Sequence, residues 1–382
     1  MPRVFLYVQH LLGIGHLARA SRIADALVAC GFTVAIVSGG GAVPGFPGKD
    51  VELLELPPIR SRDNAFSALV GEAGRPVDKR FMDERVARLL AAFRDVAPDV
   101  LMIEAFPFGR RQMRFELVPL LEAASASSPR PLIVSSIRDI LQENRKPGRA
   151  QETMETIDRY FDLVLVHGDP NFVTLDRSFP LAHAIAGRIA YTGLVAPPSA
   201  AARAERFDVV VSCGGGAAAG RLLEAAFEAA QSLETVLPKW CVITGPNVQA
   251  DVAANVPPNV RLERFRSDFA GLLASAKLSI SQAGYNTVCD ILRASCPAVL
   301  VPFAGNGETE QTMRANGLAS RGLAQVVPEA ELSADRLVAA ANAALAAPPP
   351  VHALDLDGAS KTASLLHRAL ARSISQPRAA NR

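Results

Sequence analysis

Residues 278–317 read LSISQAGYNTVCDILRASCPAVLVPFAGNGETEQTMRANG, and the stretch holds one complete strand–helix–strand unit. Leu278 to Ser281 is a short apolar run of strand type. Gly284 ends it, and Tyr285-Asn286-Thr287 can open a helix whose free N–H groups and hydroxyls suit a diphosphate. Asp290 lies on that helix about one turn beyond Asn286, where a carboxylate can accept both hydroxyls of a ribose. Ala298 to Pro302 forms the second strand. Glu310 and Gln311 follow its end as neighbours, one accepting and the other also donating, a pair suited to the hydroxyls of a sugar.

The same alternation extends outward in both directions. Upstream in this half, Asp208 to Ser212, Trp240 to Thr244 and Val260 to Glu263 are strand candidates; Ala324 to Val327 lies downstream. A helix from Ser333, an N-cap residue, to about Leu345 precedes Pro348-Pro349-Pro350. The first half repeats the pattern: Arg3 to Gln9, Thr33 to Ser38, Val51 to Leu56, Asp99 to Glu104, Pro131 to Ser136 and Phe161 to His167 are apolar runs, with helical spacing in Leu17 to Cys30 and Phe81 to Val96. Continuous apolar strands alternating with helices predict parallel sheets covered on both faces. The Ala- and Pro-rich segment 195–206 lacks periodicity and reads as a linker. The expected organisation is an N-terminal domain over 1–194, a C-terminal domain over 207–350, a last helix within 351–372 packing back on the first domain, and a polar tail from 373.

Each half opens with a strand and a Gly-rich turn, Gly13-Ile-Gly15-His16 in the first and Gly214-Gly215-Gly216 in the second. Such turns at the C-terminal edge of a parallel sheet aim backbone N–H groups at an anion. Neither is GxGxxG or GxxxxGK[ST], which disfavours hydride transfer and P-loop nucleotide hydrolysis.

Composition bounds the rest. The chain has 382 residues, 49% hydrophobic and 20% charged, with net charge +2 from 40 basic and 38 acidic side chains, which gives no reason to expect nucleic-acid binding. Its five cysteines, Cys30, Cys213, Cys241, Cys289 and Cys296, include no CxxC pair and read as reduced thiols of a cytoplasmic protein. The N-terminus lacks a signal-peptide pattern, and no apolar run is long enough to span a membrane.

Over these forty positions the C-terminal half resembles the donor-binding region of GT-B glycosyltransferases, and family twenty-eight in particular: a strand, Ser281, Ala283-Gly284, Thr287, Asp290, Pro297, Val301-Pro302-Phe303 and Glu310-Gln311 occur in the family's order. Gly13-Ile-Gly15-His16-Leu17 resembles the family's first Gly-rich loop, and Glu104-Ala-Phe-Pro-Phe-Gly109-Arg110 is similar to bacterial proteins classed as predicted glycosyltransferases. The resemblance implies two Rossmann-like doubly wound domains facing a cleft, and inverting transfer of a sugar from a nucleotide-sugar donor, UDP-linked in preference to dTDP-linked. It implies donor contacts from Gly13, Gly15, Gly214, Gly215, Gly216, Gly284, Asn286, Thr287, Asp290, Glu310 and Gln311, with Phe265 and the backbone of Arg266 lining the base pocket. It also implies no cofactor and no metal; Asp355-Leu356-Asp357, a DxD in form, follows a proline run and is set aside.

Transfer needs a base at the acceptor hydroxyl. His16, at the mouth of the first Gly-rich loop, is the candidate, with an ordinary pKa of about 6.5 suited to proton abstraction near neutrality. Glu104 ends a strand of the same sheet and either orients His16 or is itself the base; its alternative is a buried carboxylate paired with Arg110 or Arg111. The acceptor is unassigned, either lipid-linked or a small molecule. Phe106-Pro-Phe-Gly-Arg-Arg111 mixes apolar and basic residues as a loop touching the inner membrane face would, with plain packing as the alternative. Two further functions stay open: a nucleotide-sugar hydrolase of the same fold, and a non-catalytic nucleotide-sugar binding protein.

Overall fold

The computed structural model describes residues 1–11, 13–43, 45–61, 69–142, 147–201, 205–214, 219–245 and 255–375. The chain forms two compact units, Met1–Val195 with Asp355–Arg382, and Ala196–Leu354.

In the first unit the strands are β1 (Arg3–Val8), β2 (Thr33–Ser38), β3 (Glu52–Glu55), the antiparallel pair β4 (Arg60–Ser61) and β5 (Leu69–Val70), β6 (Val100–Glu104), β7 (Leu132–Arg138), β8 (Leu163–His167) and β9 (Ile189–Tyr191). Its helices are α1 (Gly15–Ala29), α2 (Lys79–Val96), α3 (Arg114–Ala126) and α4 (Arg149–Tyr160). Seven strands make one parallel sheet in the order β3-β2-β1-β6-β7-β8-β9. Side chains alternate across it: Phe5, Tyr7, Leu101, Ile103 and Ile133 share a core with Leu89 and Phe93 of α2, Leu117 and Leu120 of α3 and Ile157 of α4. Val4, Leu6, Ile36 and Met102 are equally buried on the opposite register. Two covered faces explain the unbroken apolar strands.

A fully buried ion pair fixes the end of β1. Arg85 of α2 donates from Nε to Glu116 Oε2 of α3 at 2.5 Å and from Nη2 to Gln9 Oε1 at 2.6 Å, while Tyr7 donates its hydroxyl to Glu116. Gln9 in turn donates to the carbonyls of His10 and Ile59, each at 3.0 Å. A Cβ at Gly39 would strike Gln9 and Arg85, and one at Gly40 would strike the His10 ring, so the glycines after β2 serve close packing.

The second unit holds β10 (Val209–Ser212), β11 (Trp240–Ile243), β12 (Val260–Glu263), β13 (Leu278–Ser281), β14 (Ala298–Leu300) and β15 (Gln325–Val326), with α5 (Ala219–Ser232), α6 (Phe269–Leu273), α7 (Tyr285–Ala294), α8 (Glu310–Ala319) and α9 (Ala334–Ala346). Its strands pair in parallel in the order β12-β11-β10-β13-β14-β15. Trp240 is fully buried in the core, its Nε1 donating to Leu237 O at 2.8 Å. Ser333 caps α9 by accepting from Arg336 N at 3.3 Å.

The chain returns to the first unit at Asp355, where Leu194 N donates to Asp355 O at 2.7 Å. Asp355 pairs with Lys361, so the DxD-like segment fastens this return. The last helix, α10 (Gly358–Ser375), packs on α1; the rings of Phe32 and His367 lie 4.2 Å apart and His367 Nε2 bonds to Cys30 O at 3.0 Å.

Candidate active site

In an open parallel sheet, ligands bind beyond the carboxyl ends of the strands, where the strand order reverses. That point lies between β1 and β6 in the first unit and between β10 and β13 in the second.

The first reversal is flanked by the loop from β1 into α1 and by the end of β6. His16 is the second residue of α1, and Glu104 the last of β6. His16 Nδ1 lies 3.0 Å from Glu104 Oε1. Arg19, one helical turn beyond His16, is 2% exposed and donates Nη2 to that same oxygen. Glu104 Oε2 accepts from Ser136 Oγ at 2.8 Å; Ser136 faces Glu104 in the β6–β7 register. Burial pushes the Glu104 carboxyl up, but the Arg19 cation and the His16 bond outweigh it and hold it well below the usual range. Glu104 is therefore ionised and only accepts, so Nδ1 of His16 carries the proton. Its Nε2 keeps the lone pair, and that nitrogen has no bond partner among the described residues. The His16 side chain is 21% exposed.

Three expectations change here. The pKa of His16 is not near 6.5: burial, with Arg110 and Arg19 nearby, pushes it to about 3, against the pull of Glu104. It is neutral throughout the physiological range. The partner of Glu104 is Arg19, not Arg110 or Arg111. Arg111 pairs with Glu152, and Arg110 donates Nε to Gln9 O at 2.8 Å. The Phe106 loop does not offer apolar side chains to a membrane, because Phe106 and Phe108 are buried in the core. The backbone after Glu104 is constrained instead, with Ala105 at φ 67° and Arg110 at φ 57°, left-handed values that non-glycine residues seldom adopt.

Arg19 escaped the sequence reading as a partner of Glu104. Its signal was a charge on the apolar face of α1, among Leu17, Ala20, Ile23 and Ala24. His167, which ends β8, is likewise fully buried and bonds to Ser136 at 2.9 Å.

The second unit's candidates line the carboxyl edge of its sheet. Gly214 follows β10 at φ 69°, and a Cβ there would strike Gln282; Gly215 and Gly216 lie outside the described residues. Gly284 is the N-cap of α7 and offers it no side chain, and nothing lies within 4 Å of where a Cβ would stand. Asn286 and Thr287 are half-buried in that first turn, and Asp290 is 6% exposed. Phe265, beyond β12, is 49% exposed rather than core. The side chain of Arg266 is committed to Asp268, at 2.9 and 3.0 Å, and to Glu205 at 3.0 Å, leaving the backbone as its contribution.

At the β14 end, Glu310 opens α8 in a buried pair with Arg314 at 2.7 Å. Arg314 also donates to Ala283 O at 2.9 Å and lies over the Tyr285 ring, tying α8 to the loop before α7. Gln311 Oε1 accepts from Phe303 N at 3.1 Å. From β12 to β14 is four strand spacings, about 19 Å, so these residues form an extended edge rather than a point. In the first unit, Gly13 and Gly15 lead into α1, and no atom stands within 4 Å of a Cβ built at Gly13.

Residues 209–353 match the glycosyltransferase family 28 C-terminal domain. This span is nearly the whole second unit and includes the edge just described. The second unit thus matches a family 28 domain, and the chain is similar to GT-B glycosyltransferases. The UDP-N-acetylglucosamine–N-acetylmuramyl-(pentapeptide) pyrophosphoryl-undecaprenol N-acetylglucosamine transferase of Phenylobacterium zucineum is 27% identical over 345 residues, 85% of this chain and 84% of that protein. The enzyme of the same name from Sinorhizobium medicae is 39% identical over 87 residues, but the match spans only 23% of this chain and 22% of that protein. In fold, the chain is similar to the crystal structure of the kitacinnamycin glycotransferase, with TM-score 0.61 at 16% identity, covering 97% of this chain and 95% of that one. Among the described residues no helix is long and apolar enough to cross a membrane.

Proposed function

We propose that this glycosyltransferase moves a sugar from a UDP-sugar to an acceptor hydroxyl with inversion, His16 acting as the base. The observation that supports this most directly is the His16–Glu104 pair at the first unit's strand reversal. A neutral imidazole with its Nδ1–H held by an ionised carboxylate presents the Nε2 lone pair to a hydroxyl. Glu104 then stabilises the imidazolium that forms, as the carboxylate of a hydrolase triad does. A base with a resting pKa of about 3 is weak. It takes the proton late, as the hydroxyl becomes acidic on bonding to the sugar carbon.

For the donor, we assign the diphosphate to the N-terminus of α7 with Gly214, the ribose to Asp290, the sugar hydroxyls to Glu310 and Gln311, and the base to Phe265 and the Arg266 backbone. Opposite ends of one sheet edge then take opposite ends of the donor. UDP is preferred over dTDP on the family resemblance, and the Phenylobacterium relative is named for a UDP-sugar. The acceptor is a lipid-linked or small-molecule alcohol, and the enzyme works in the cytoplasm or at the inner membrane face, without a metal.

Calorimetric titration with UDP, dTDP, GDP and ADP tests the donor assignment. UDP should bind most tightly, and Asp290→Ala should weaken it about tenfold or more, as loss of charge-assisted bonds does. Equal binding of all four, or none by folded protein, would overturn the donor site. His16→Ala should abolish turnover of the UDP-sugar and leave UDP affinity unchanged. Parallel loss of both would sink the base assignment. Donor cleavage as fast in water alone as with any acceptor would make the protein a hydrolase using the same histidine.

A further inference from the structure

We propose that His167, acting through Ser136, is a positioning residue for Glu104 and thereby for the nitrogen that His16 presents to substrate. This rests on the reading of His16 as the base.

Four consecutive strands of the first sheet supply one buried chain of hydrogen bonds. Glu104 ends β6, Ser136 lies in β7, His167 ends β8 and Thr192 follows β9. Glu104 is 1% exposed and the other three are fully buried. From Glu104 Oε2 the chain runs to Ser136 Oγ at 2.8 Å, then to His167 Nε2 at 2.9 Å. His167 Nδ1 lies 2.9 Å from Thr192 Oγ1, which bonds to Gly193 O at 2.7 Å.

Counting protons, with the shortest bond assigned first, gives a direction to each bond. The one proton of the Thr192 hydroxyl has two close acceptors, and we assign it to Gly193 O, the nearer at 2.7 Å and able only to accept. Thr192 Oγ1 then accepts from Nδ1–H of His167. A neutral His167, which burial and the Arg19 charge favour, therefore keeps a lone pair on Nε2. Ser136 has one proton and two acceptors facing it, the Glu104 carboxylate and the His167 imidazole. The charged acceptor is the stronger, so the proton lies toward Glu104 with the imidazole competing for it. How firmly Oε2 is bonded sets how basic the carboxylate remains, and hence how strongly Oε1 accepts from His16. A buried polar chain costs desolvation that an apolar core does not. Here it links the proton affinity of Glu104 to a histidine two strands away.

The test is to label the whole chain with ¹⁵N-histidine and record imidazole ¹H–¹⁵N spectra of the wild type, Ser136→Ala and His167→Gln. In the wild type His16 and His167 should both be Nδ1–H tautomers. Ser136→Ala removes a donor from Glu104, makes it more basic, and should move the His16 Nδ1–H proton downfield. His167→Gln supplies an amide donor to Ser136, frees the serine proton for Glu104, and should move the same resonance upfield. A purely structural role would not give shifts of opposite sign. An Nε2–H tautomer at His167 overturns the proposal from the wild type alone, even if a variant fails to fold. A stationary His16 resonance in two folded variants overturns it as well. The two readings fail separately: silent spectra with turnover lost in His16→Ala remove only the His167 role, whereas coupled spectra with turnover kept in His16→Ala remove only the base assignment.

Discussion

At the scale of single residues, the site is built from charges whose meaning depends on what folding places beside them. Arg85 and Glu116 are 31 positions apart, and Arg19 and Glu104 are 85 apart. In sequence each looks like the solvated charge of an amphipathic helix or strand end. Only the fold shows that all four are at most 2% exposed. A buried ion pair gains little over a well-packed apolar pair, but removing one partner strands the other. Arg85→Met alone should therefore cost about 3–5 kcal/mol in urea denaturation. The double change Arg85→Met with Glu116→Leu should cost less than that single change, through a favourable coupling. If the two single losses merely add, the pair is not the unit we describe. His16 was legible as a chemical group from its place after Gly15, yet its proton affinity was not. That depends on Arg110 and Arg19 and on burial, none of which a loop motif encodes.

At the scale of elements, what the sequence made legible was what neighbouring residues decide. β1, β2, β6 and β10 carry unbroken apolar runs because helices cover both faces of the sheet. β9 was not foreseen, since Ile189–Tyr191 is three half-buried residues at a sheet edge and leaves no such run. The two-residue strands β4 and β5 pair only because the fold brings them together. In the candidate site, the order of Gly284, Asp290 and Glu310 could be read, but Arg314 holding Glu310 and the turn before α7 could not. Turns carry a testable demand. Gly214 needs a left-handed φ of 69°, and its neighbour Gln282 occupies the Cβ position. Gly214→Ala should destabilise the second unit by about 1–2 kcal/mol and weaken UDP binding, since the strained turn sits at the strand reversal. Unchanged midpoint and affinity would show that the turn relaxes freely.

At the scale of the whole molecule, the two units differ in what pH does to them. The first unit holds His16 and His167, each pushed to about 3 by burial and by neighbouring arginines. Their unfolded value is about 6.5. Between those values the unfolded chain binds protons that the folded unit refuses, so stability must fall as pH falls through this window and is complete above it. Each histidine contributes a slope of up to about 1.4 kcal/mol per pH unit. Glu104, held below the usual carboxylate range, adds loss in the same direction once the unfolded carboxyl begins to protonate. In the second unit, burial instead raises Cys213 and Cys296 to about 12 and Cys241 to about 11. Those thiols are protonated in both states below pH 8 and contribute nothing in the acid window. Scanning calorimetry from pH 7 to 4.5 should therefore show the transition of the first unit moving down while that of the second moves far less. His167→Gln should flatten the first unit's slope, since one of its three histidines with lowered proton affinity, His10, His16 and His167, is gone. A slope untouched by that change would mean that His167 is protonated in the folded protein, and the bond directions drawn from Glu104 to Thr192 would have to be reassigned.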